Sequence, residues 1–129
     1  MRFMCLIYIE PDRMVGMTPA DFEKLDNDTI EEDIAIKAAG KLVLATPLQE
    51  PRTAITLRQR NGVTRTTDGP FAETKEHLGG VVIIEARDME EAIALSRDAA
   101  ILRIAAMEIR PLPETPDVHS KTGEARPVM

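Results

Sequence analysis

Cysteine and aromatic residues are scarce in this chain. There is no tryptophan, and aromatic residues make up 3% of the sequence, so the core must be built from aliphatic side chains and methionine. The single cysteine, Cys5, excludes an intrachain disulfide, which suits a reducing compartment, and we expect a cytoplasmic protein. Because Cys5 lies inside an apolar run, and an apolar site raises the pKa of a thiol, we expect it to be an inert core residue.

Long apolar segments are also missing. No stretch approaches the ~20 apolar residues that a transmembrane helix needs. The N-terminal segment becomes polar at Glu10, too soon for a secretory leader. The sequence therefore predicts no association with a membrane.

Positive charge is in short supply. The chain has 16 Lys and Arg against 22 Asp and Glu, a formal net charge of −6 and an isoelectric point of about 4.9. A phosphate backbone would be repelled by this field, and no basic run with interleaved aromatics offsets it. The sequence therefore predicts no nucleic-acid partner.

Motifs that hold metals or cofactors are absent. The sequence has no C-x-x-C, H-E-x-x-H, G-x-G-x-x-G or P-loop pattern. The dense acidic residues 26–33 lack the D-x-D-x-D-G loop of a calcium site and are typical of a solvated helix face. Glu32 is the exception, because it falls on the sheet-facing arc and could reach a pocket. We predict no metal and no cofactor.

Strand patterns recur along the chain. Residues 2–9 and 81–86 are apolar on both faces, which is typical of central strands covered on both sides. Further strands are predicted at residues 41–46, 53–59, 63–67 and 105–110. Asn61-Gly62 is a strong two-residue hairpin signal between the middle two of these. Ile55 and Leu57 are predicted to point inward from this hairpin.

Two helices are predicted by their caps. Thr18 is a suitable N-cap, Pro19 suits the first helical position, Asp21 completes a capping box, and Gly40 ends the helix. The stripe expected to pack on the sheet contains Phe22, Leu25, Thr29, Ile36 and Ala39. Asp88 caps the second helix, which is predicted to end between residues 99 and 102.

The order of these elements predicts an α+β fold. With the hairpin set aside it is βαββαβ, the ferredoxin-like arrangement, formed by residues 1–112 with residues 113–129 as a polar tail, either disordered or laid over a surface. Two helices can cover only one face of the sheet, and the other face also carries apolar side chains. Because soluble monomers avoid large apolar patches, we predict a homodimer packed sheet against sheet.

Turn formers, charges and a histidine crowd together in residues 66–80. Residues 67–76, T-D-G-P-F-A-E-T-K-E, followed by L-G-G at residues 78–80, resemble the signature of the DGPF-domain proteins, a branch of the YCII-related family. Further matches are residues 4–8, Ala39-Gly40, Leu48, residues 89–92 and residues 107–111. The resemblance covers about residues 1–112.

This resemblance implies a ferredoxin-like, dimeric α/β fold. Some YCII-related proteins are small enzymes with a His–Asp pair, including a dehydrochlorinase of chlorinated aromatics, and DGPF members are often encoded near extracytoplasmic-function sigma factors. In the His–Asp members the histidine comes from an earlier part of the chain. This sequence has no histidine before His77, so Asp68 matches the aspartate without its partner.

Asp68 has two interpretations. As a turn residue, its carboxylate accepts backbone N–H groups while Gly69 supplies the backbone conformation and Pro70 fixes the exit. As a functional residue, it is a carboxylate at the mouth of a cleft between hairpin and sheet, acting as a general base or hydrogen-bond acceptor. Asp68 is our candidate catalytic residue.

The surrounding charged residues complete the candidate site. Residues 73–77 are predicted to form one helical turn before Gly79-Gly80. The candidate ligand-binding residues are Arg65, Asp68, Glu73, Lys75, Glu76 and His77. They form either a solvated ion-pair network or a site that neutralises an anionic ligand and moves a proton. Arg58 and Arg65 either protect the hairpin edge or form an anion-binding patch.

The functional hypotheses come from different classes. The first is a dimeric protein with a small-molecule pocket beside the Asp68 loop, with weak lyase- or hydrolase-like activity. The second is a non-catalytic regulatory or partner-binding module, linked to extracytoplasmic-function sigma factor signalling. The third is a purely structural oligomer. The sequence does not decide whether the protein is an enzyme.

Overall fold

The structure is a computed structural model that describes residues 1–113. The strands in that range are β1 (Arg2–Ile9), β2 (Leu42–Pro47), β3 (Ile55–Arg60), β4 (Val63–Asp68), β5 (His77–Glu85) and β6 (Ala105–Pro111). The α-helices there are α1 (Pro19–Ala38) and α2 (Met89–Ser96), with 3-10 turns at Pro11–Met14, Pro51–Thr53 and Ala100–Arg103. The predicted tail lies, from residue 114 onward, outside the described residues.

The main sheet has the strand order expected of the predicted fold. Its order is β2-β5-β1-β6, and every neighbouring pair is antiparallel. Strands β3 and β4 pair with each other in a separate two-stranded sheet. The prediction of an α+β ferredoxin-like fold with an inserted hairpin is confirmed, and so is the prediction that β1 and β5 are the central strands.

The helices cover one face of this sheet. Phe3, Cys5 and Ile84 are fully buried on that face, where Ala92 of α2 packs against them. Burying a side chain the size of Phe3 or Ile84 stabilises the fold by about 1.5–3 kcal/mol. On the alternate positions of β1, Met4 lies opposite Ile83 and Leu6 lies opposite Val81, and all four are only half-buried.

Helix caps form largely as their sequence predicts. The Thr18 hydroxyl accepts the Asp21 backbone N–H at 3.2 Å, and the Asp21 carboxylate accepts the Thr18 N–H at 2.9 Å. In α2 the Asp88 carboxylate accepts the Glu91 N–H at 2.9 Å. This second helix ends at Ser96, earlier than predicted, and Ala99, with φ −59° and ψ 133°, already has a non-helical backbone.

Helix α1 lies less closely against the sheet than its predicted stripe requires. Leu25 is its one buried residue, and Thr29 and Ile36 are half-buried as expected. Phe22 and Ala39 are exposed, with Phe22 at 39%, so the prediction was wrong for these two. The contact with the core therefore runs from Leu25 to Ile36 and leaves both ends of the predicted stripe exposed.

Strand β5 begins four residues before its predicted start. Gly79 and Gly80 lie inside the strand, where the β1–β5 register shifts between Ile7 and Tyr8. A Cβ at Gly79 would lie 2.4 Å from Ile9 Cγ1, so only glycine permits this approach of the strands. The predicted helical turn over residues 73–77 was wrong, because His77 already belongs to the strand.

The hairpin turn confirms its sequence signal. Asn61 and Gly62 both have positive φ, 51° and 76°, as a tight two-residue hairpin turn requires. Ile55 and Leu57, predicted to face inward, are each 65% exposed. That prediction was wrong for the single chain, because the half-buried alternate residue Thr56 faces the rest of the chain instead.

Candidate functional site

A cleft of about 850 Å³ opens where the hairpin meets the start of β5. Its walls are formed by β3, the loop before it, the first residues of β5 and, from the loop between β4 and β5, residues 70–72, 74 and 76. Its apolar lining includes Leu48, Ile55, Leu57, Phe71 and Leu78. Its polar lining includes Tyr8, Glu50, Thr53, Thr56, Glu76 and His77.

The D-G-P-F segment positions one wall of this cleft. Gly69 has φ 102°, a conformation that favours glycine. Its N–H donates to the Ala54 carbonyl at 2.8 Å, and its own carbonyl accepts the Thr56 hydroxyl at 2.9 Å. Because its backbone N–H and its carbonyl are both held by hydrogen bonds, Gly69 directs Pro70 and Phe71 along the cleft.

Arg58 holds the same loop from the hairpin. Its guanidinium donates to the Phe71 carbonyl at 3.3 Å and lies 4.8 Å from the centre of the Phe71 ring, within cation–π range. Arg65 lies directly opposite Arg58 in the β3–β4 register. Arg58 is thus engaged in supporting the loop, while Arg65 is exposed and does not line the cleft.

Two of the predicted ligand-binding residues lie in the cleft. Glu76 is exposed and His77 is half-buried, and both belong to the lining. They reach it because β5 begins at His77, which places the end of the loop and the first strand residue against β3.

The other candidates lie elsewhere on the loop and hairpin. Asp68 is the last residue of β4, opposite Ile55, with an exposed side chain that is not part of the cleft lining. Glu73 is likewise exposed and outside the lining. Lys75 forms an ion pair with Asp12, beyond the end of β1. The structure therefore separates the predicted cluster into a cleft pair and an outer group.

Some cleft residues lie far from the D-G-P-F segment in sequence, and no sequence pattern assigns them to a site beside it. Tyr8 reaches the cleft because the β1–β5 register sets it opposite Leu78, with Ile9 opposite His77. The Tyr8 hydroxyl donates to the Glu108 carboxylate at 3.4 Å. Thr56, which the alternation of β3 assigned to the outer face, is the hairpin residue that turns inward. Only pairing between distant strands brings Tyr8 to this place.

The side chains of the cleft offer hydrogen bonding and proton transfer. Within residues 1–113, no three His, Cys, Asp or Glu side chains are close enough to hold a metal ion. An imidazole, a carboxylate and a phenol on one surface can donate, accept and exchange protons with a bound molecule. In the same part of the chain, no helix combines the length and hydrophobicity needed to cross a membrane.

Comparison with known proteins identifies the family. The profile of the YCII-related domain matches residues 1–115. The chain belongs to the YCII-related family. This YCII-related protein is also 41% identical over 76 residues to an uncharacterized protein of Rhizobium meliloti (strain 1021), an alignment that covers 57% of this chain and 61% of the relative.

The chain also matches a solved structure over most of the length of both proteins. It is 5-chloro-2-hydroxyhydroquinone dehydrochlorinase from Burkholderia phenoliruptrix AC1100, in complex with 2,5-dihydroxybenzoquinone. The TM-score is 0.44 and the identity 16%, with 89% of this chain and 96% of the other covered. The fold assignment rests on the strand order described above and on the family match, not on this similarity.

Proposed function

We propose that this YCII-related protein binds a small organic molecule in the cleft between the hairpin and β5. The observation that carries the proposal is a concave site of about 850 Å³, within the usual range of ligand pockets, with polar groups set among apolar walls. Leu48, Leu57 and Leu78 supply apolar contact. Glu76 and His77 supply the groups that orient a ligand.

Acid–base chemistry is the activity that this lining supports, in the form of a weak lyase- or hydrolase-like step. His77 carries an imidazole, a group that serves as general acid or base in many such steps. Glu76 precedes it in the chain and can accept a hydrogen bond from the bound molecule. Asp68 stays a candidate general base at the end of β4, one residue before the Gly69 turn, with its side chain exposed outside the cleft lining.

Binding is tested with a defined panel of small phenols and hydroxylated benzoic acids by thermal shift and calorimetry. We expect at least one compound to bind the wild type, and Glu76→Gln and His77→Gln to weaken it about tenfold, since each loses one charge-assisted or directional contact. Glu73→Gln is the matched control, because it makes the same change on the same loop outside the lining. Equal weakening by the control would refute a site in this cleft, as would a panel without a single binder.

We propose also that the protein works as a homodimer. Met4, Leu6, Val81 and Ile83 form an apolar surface on the face of the sheet opposite the helices, and a second copy packed on it would remove this surface from water. Sedimentation at micromolar concentration tests this. A monomer under those conditions would refute the proposal.

A partner-binding module without catalysis is the second candidate function. It is favoured by the exposure of Phe71, at 76%, on the same part of the molecule as Ile55 and Leu57. Under this hypothesis, the immobilised wild-type protein captures a regulatory protein. The Leu57→Ser variant no longer captures it, and the His77→Gln variant still does. Small-molecule binding that is lost in His77→Gln, with no regulatory protein captured by the wild type, supports the cleft instead.

A further inference from the structure

A second cavity lies on the helical face of the sheet. It has a volume of about 600 Å³ and opens to the surface between α1, α2 and the strands beneath them. Its apolar walls include Ile7, Leu25, Ile36, Val82, Ile84 and Met107. A concave space of this size, lined mostly by apolar side chains, lies within the usual range of small-molecule pockets.

The most deeply buried polar groups of the lining are neutral. Ser96 is 8% exposed, and its hydroxyl lies 4.0 Å from Cys5 Sγ. Among the described residues, this weak contact is the one side-chain hydrogen bond that Ser96 makes. Burial raises the pKa of the Cys5 thiol, with the Ser96 hydroxyl acting in the opposite direction. A neutral thiol and hydroxyl at the inner end of an apolar cavity can contact an uncharged, apolar part of a ligand.

The charged residues of this lining are all acidic. Asp26 and Asp98 are exposed and stand at the rim, and Asp33 is half-buried. The Glu32 carboxylate is already engaged, because it accepts the Ala100 N–H through both oxygens, at 2.9 and 3.1 Å. The lining contains no lysine, arginine or histidine.

Nearby cations do not neutralise these carboxylates. Lys24 and Arg103 both bind Asp28, at 3.0 and 2.8 Å, and Asp28 lies outside the cavity lining. Among residues 1–113, Asp26, Asp33 and Asp98 take part in no ion pair. Asp33 is half-buried, and this partial burial raises the pKa of its carboxyl group. A cation placed beside it would favour the charged form.

We propose that this cavity binds a lipophilic amine, with the apolar body between α1 and the sheet and the ammonium group at Asp33 and the rim carboxylates. The apolar walls select a hydrocarbon or aryl body, and the acidic rim selects against fatty acids and other anionic lipids of the same size. The cavity is separate from the hairpin cleft, since neither Glu76 nor His77 contributes to its lining. The inference therefore does not depend on the function proposed for that cleft.

The test uses three probes that share one chain: octylammonium, octan-1-ol and octanoate, each titrated by calorimetry at pH 7 and moderate salt. We expect octylammonium to bind at least about tenfold more tightly than octanol, a difference of about 1.4 kcal/mol, because an ion pair is stronger in partly desolvated surroundings than in water. Octanoate should bind most weakly. Octanoate binding as tightly as octylammonium, or no binding by any probe, would overturn the proposal.

Matched variants locate the ammonium group. Asp33→Asn should weaken octylammonium about tenfold and leave octanol unchanged, because it removes charge with little change of shape. Glu31→Gln is the control, since it makes the same charge change on the exposed side of α1, outside the cavity. Equal weakening by both would mean a general charge effect, and loss of binding in His77→Gln would place the amine in the hairpin cleft. Either result refutes the proposed site.

Discussion

Replacing Gly79 by alanine tests the close approach of the two central strands. The added Cβ would lie 2.4 Å from Ile9 Cγ1 and 3.1 Å from Ile9 Cδ1. Gly79 does not have a positive φ, unlike Gly69, so its backbone conformation is open to alanine and the strain comes from the contact alone. The first clashing atom is near the base of the Ile9 side chain, which cannot swing away as freely as a chain end.

The expected loss of stability is about 1–2 kcal/mol. Forcing an extra methyl group into a packed site costs roughly 1–3 kcal/mol. Restricting the unfolded chain by a Gly-to-Ala change returns about 0.4–1 kcal/mol when the native backbone accepts alanine. The difference should lower the melting temperature by roughly 4 °C or more.

A double-mutant cycle in urea identifies the cause. Gly79→Ala, Ile9→Ala and the double variant are compared with the wild type by their free energies of unfolding. Ile9→Ala removes both clashing atoms, so the double variant should be less destabilised than the sum of the single changes, by about 1 kcal/mol. Strict additivity, or a Gly79→Ala protein as stable as the wild type, would refute the steric explanation.

Three further outcomes concern charge, capping and turn geometry. The hydrogen bond from Lys41, joined by those from Arg87, lowers the pKa of Glu91 from its ordinary 4.5 to about 2. Because the pKa of Glu91 is lower in the folded state, the stabilisation it gives is present above pH 4.5 and is lost as the pH falls toward 2. The urea midpoint should therefore fall less across that window in Glu91→Gln than in the wild type. An equal fall of the midpoint in both proteins would exclude the interactions of Glu91 as the cause. Asp88→Ala should cost about 1 kcal/mol by chemical denaturation, since it removes the α2 N-cap, and an unchanged stability would show that the cap is dispensable. Gly62→Ala should destabilise the hairpin, because alanine disfavours a φ of 76°. Backbone amides of β3 and β4 should then exchange with solvent faster than in the wild type, and unchanged exchange would contradict this prediction.

The order of elements followed from local patterns. The Thr18–Asp21 box and the Asp88 cap place helix starts by contacts within one turn, and Asn61-Gly62 places the hairpin by its own backbone preferences. The two-sided apolar pattern of residues 2–9 marked a central strand, because such a strand needs cover on both faces. The same local signals were unreliable at Gly79 and Gly80, whose composition is typical of a turn although the strand passes through them.

The candidate site depended on contacts between distant residues. The D-G-P-F motif indicated the loop, and His77 and Glu76, two of the predicted ligand-binding residues, lie in the cleft beside it. That they bind a ligand stays a prediction. Tyr8 has no such signal, because its place beside Leu78 is set by the β1–β5 register. Asp68 stays a prediction to be tested, since the turn that follows it leads into the cleft while its own side chain is exposed.

The sequence by itself determined the helices, the strands, their order and the turn chemistry, because these follow from the preferences of residues close together in the chain. Tertiary structure alone decided that Ile55 and Leu57 are exposed, that β5 begins at His77, and that α1 leaves a cavity over the sheet. Each of these depends on how far apart two packed elements lie and in which register they pair. Those distances arise from side chains remote in sequence, such as Ile9 against Gly79, whose meeting no local pattern records.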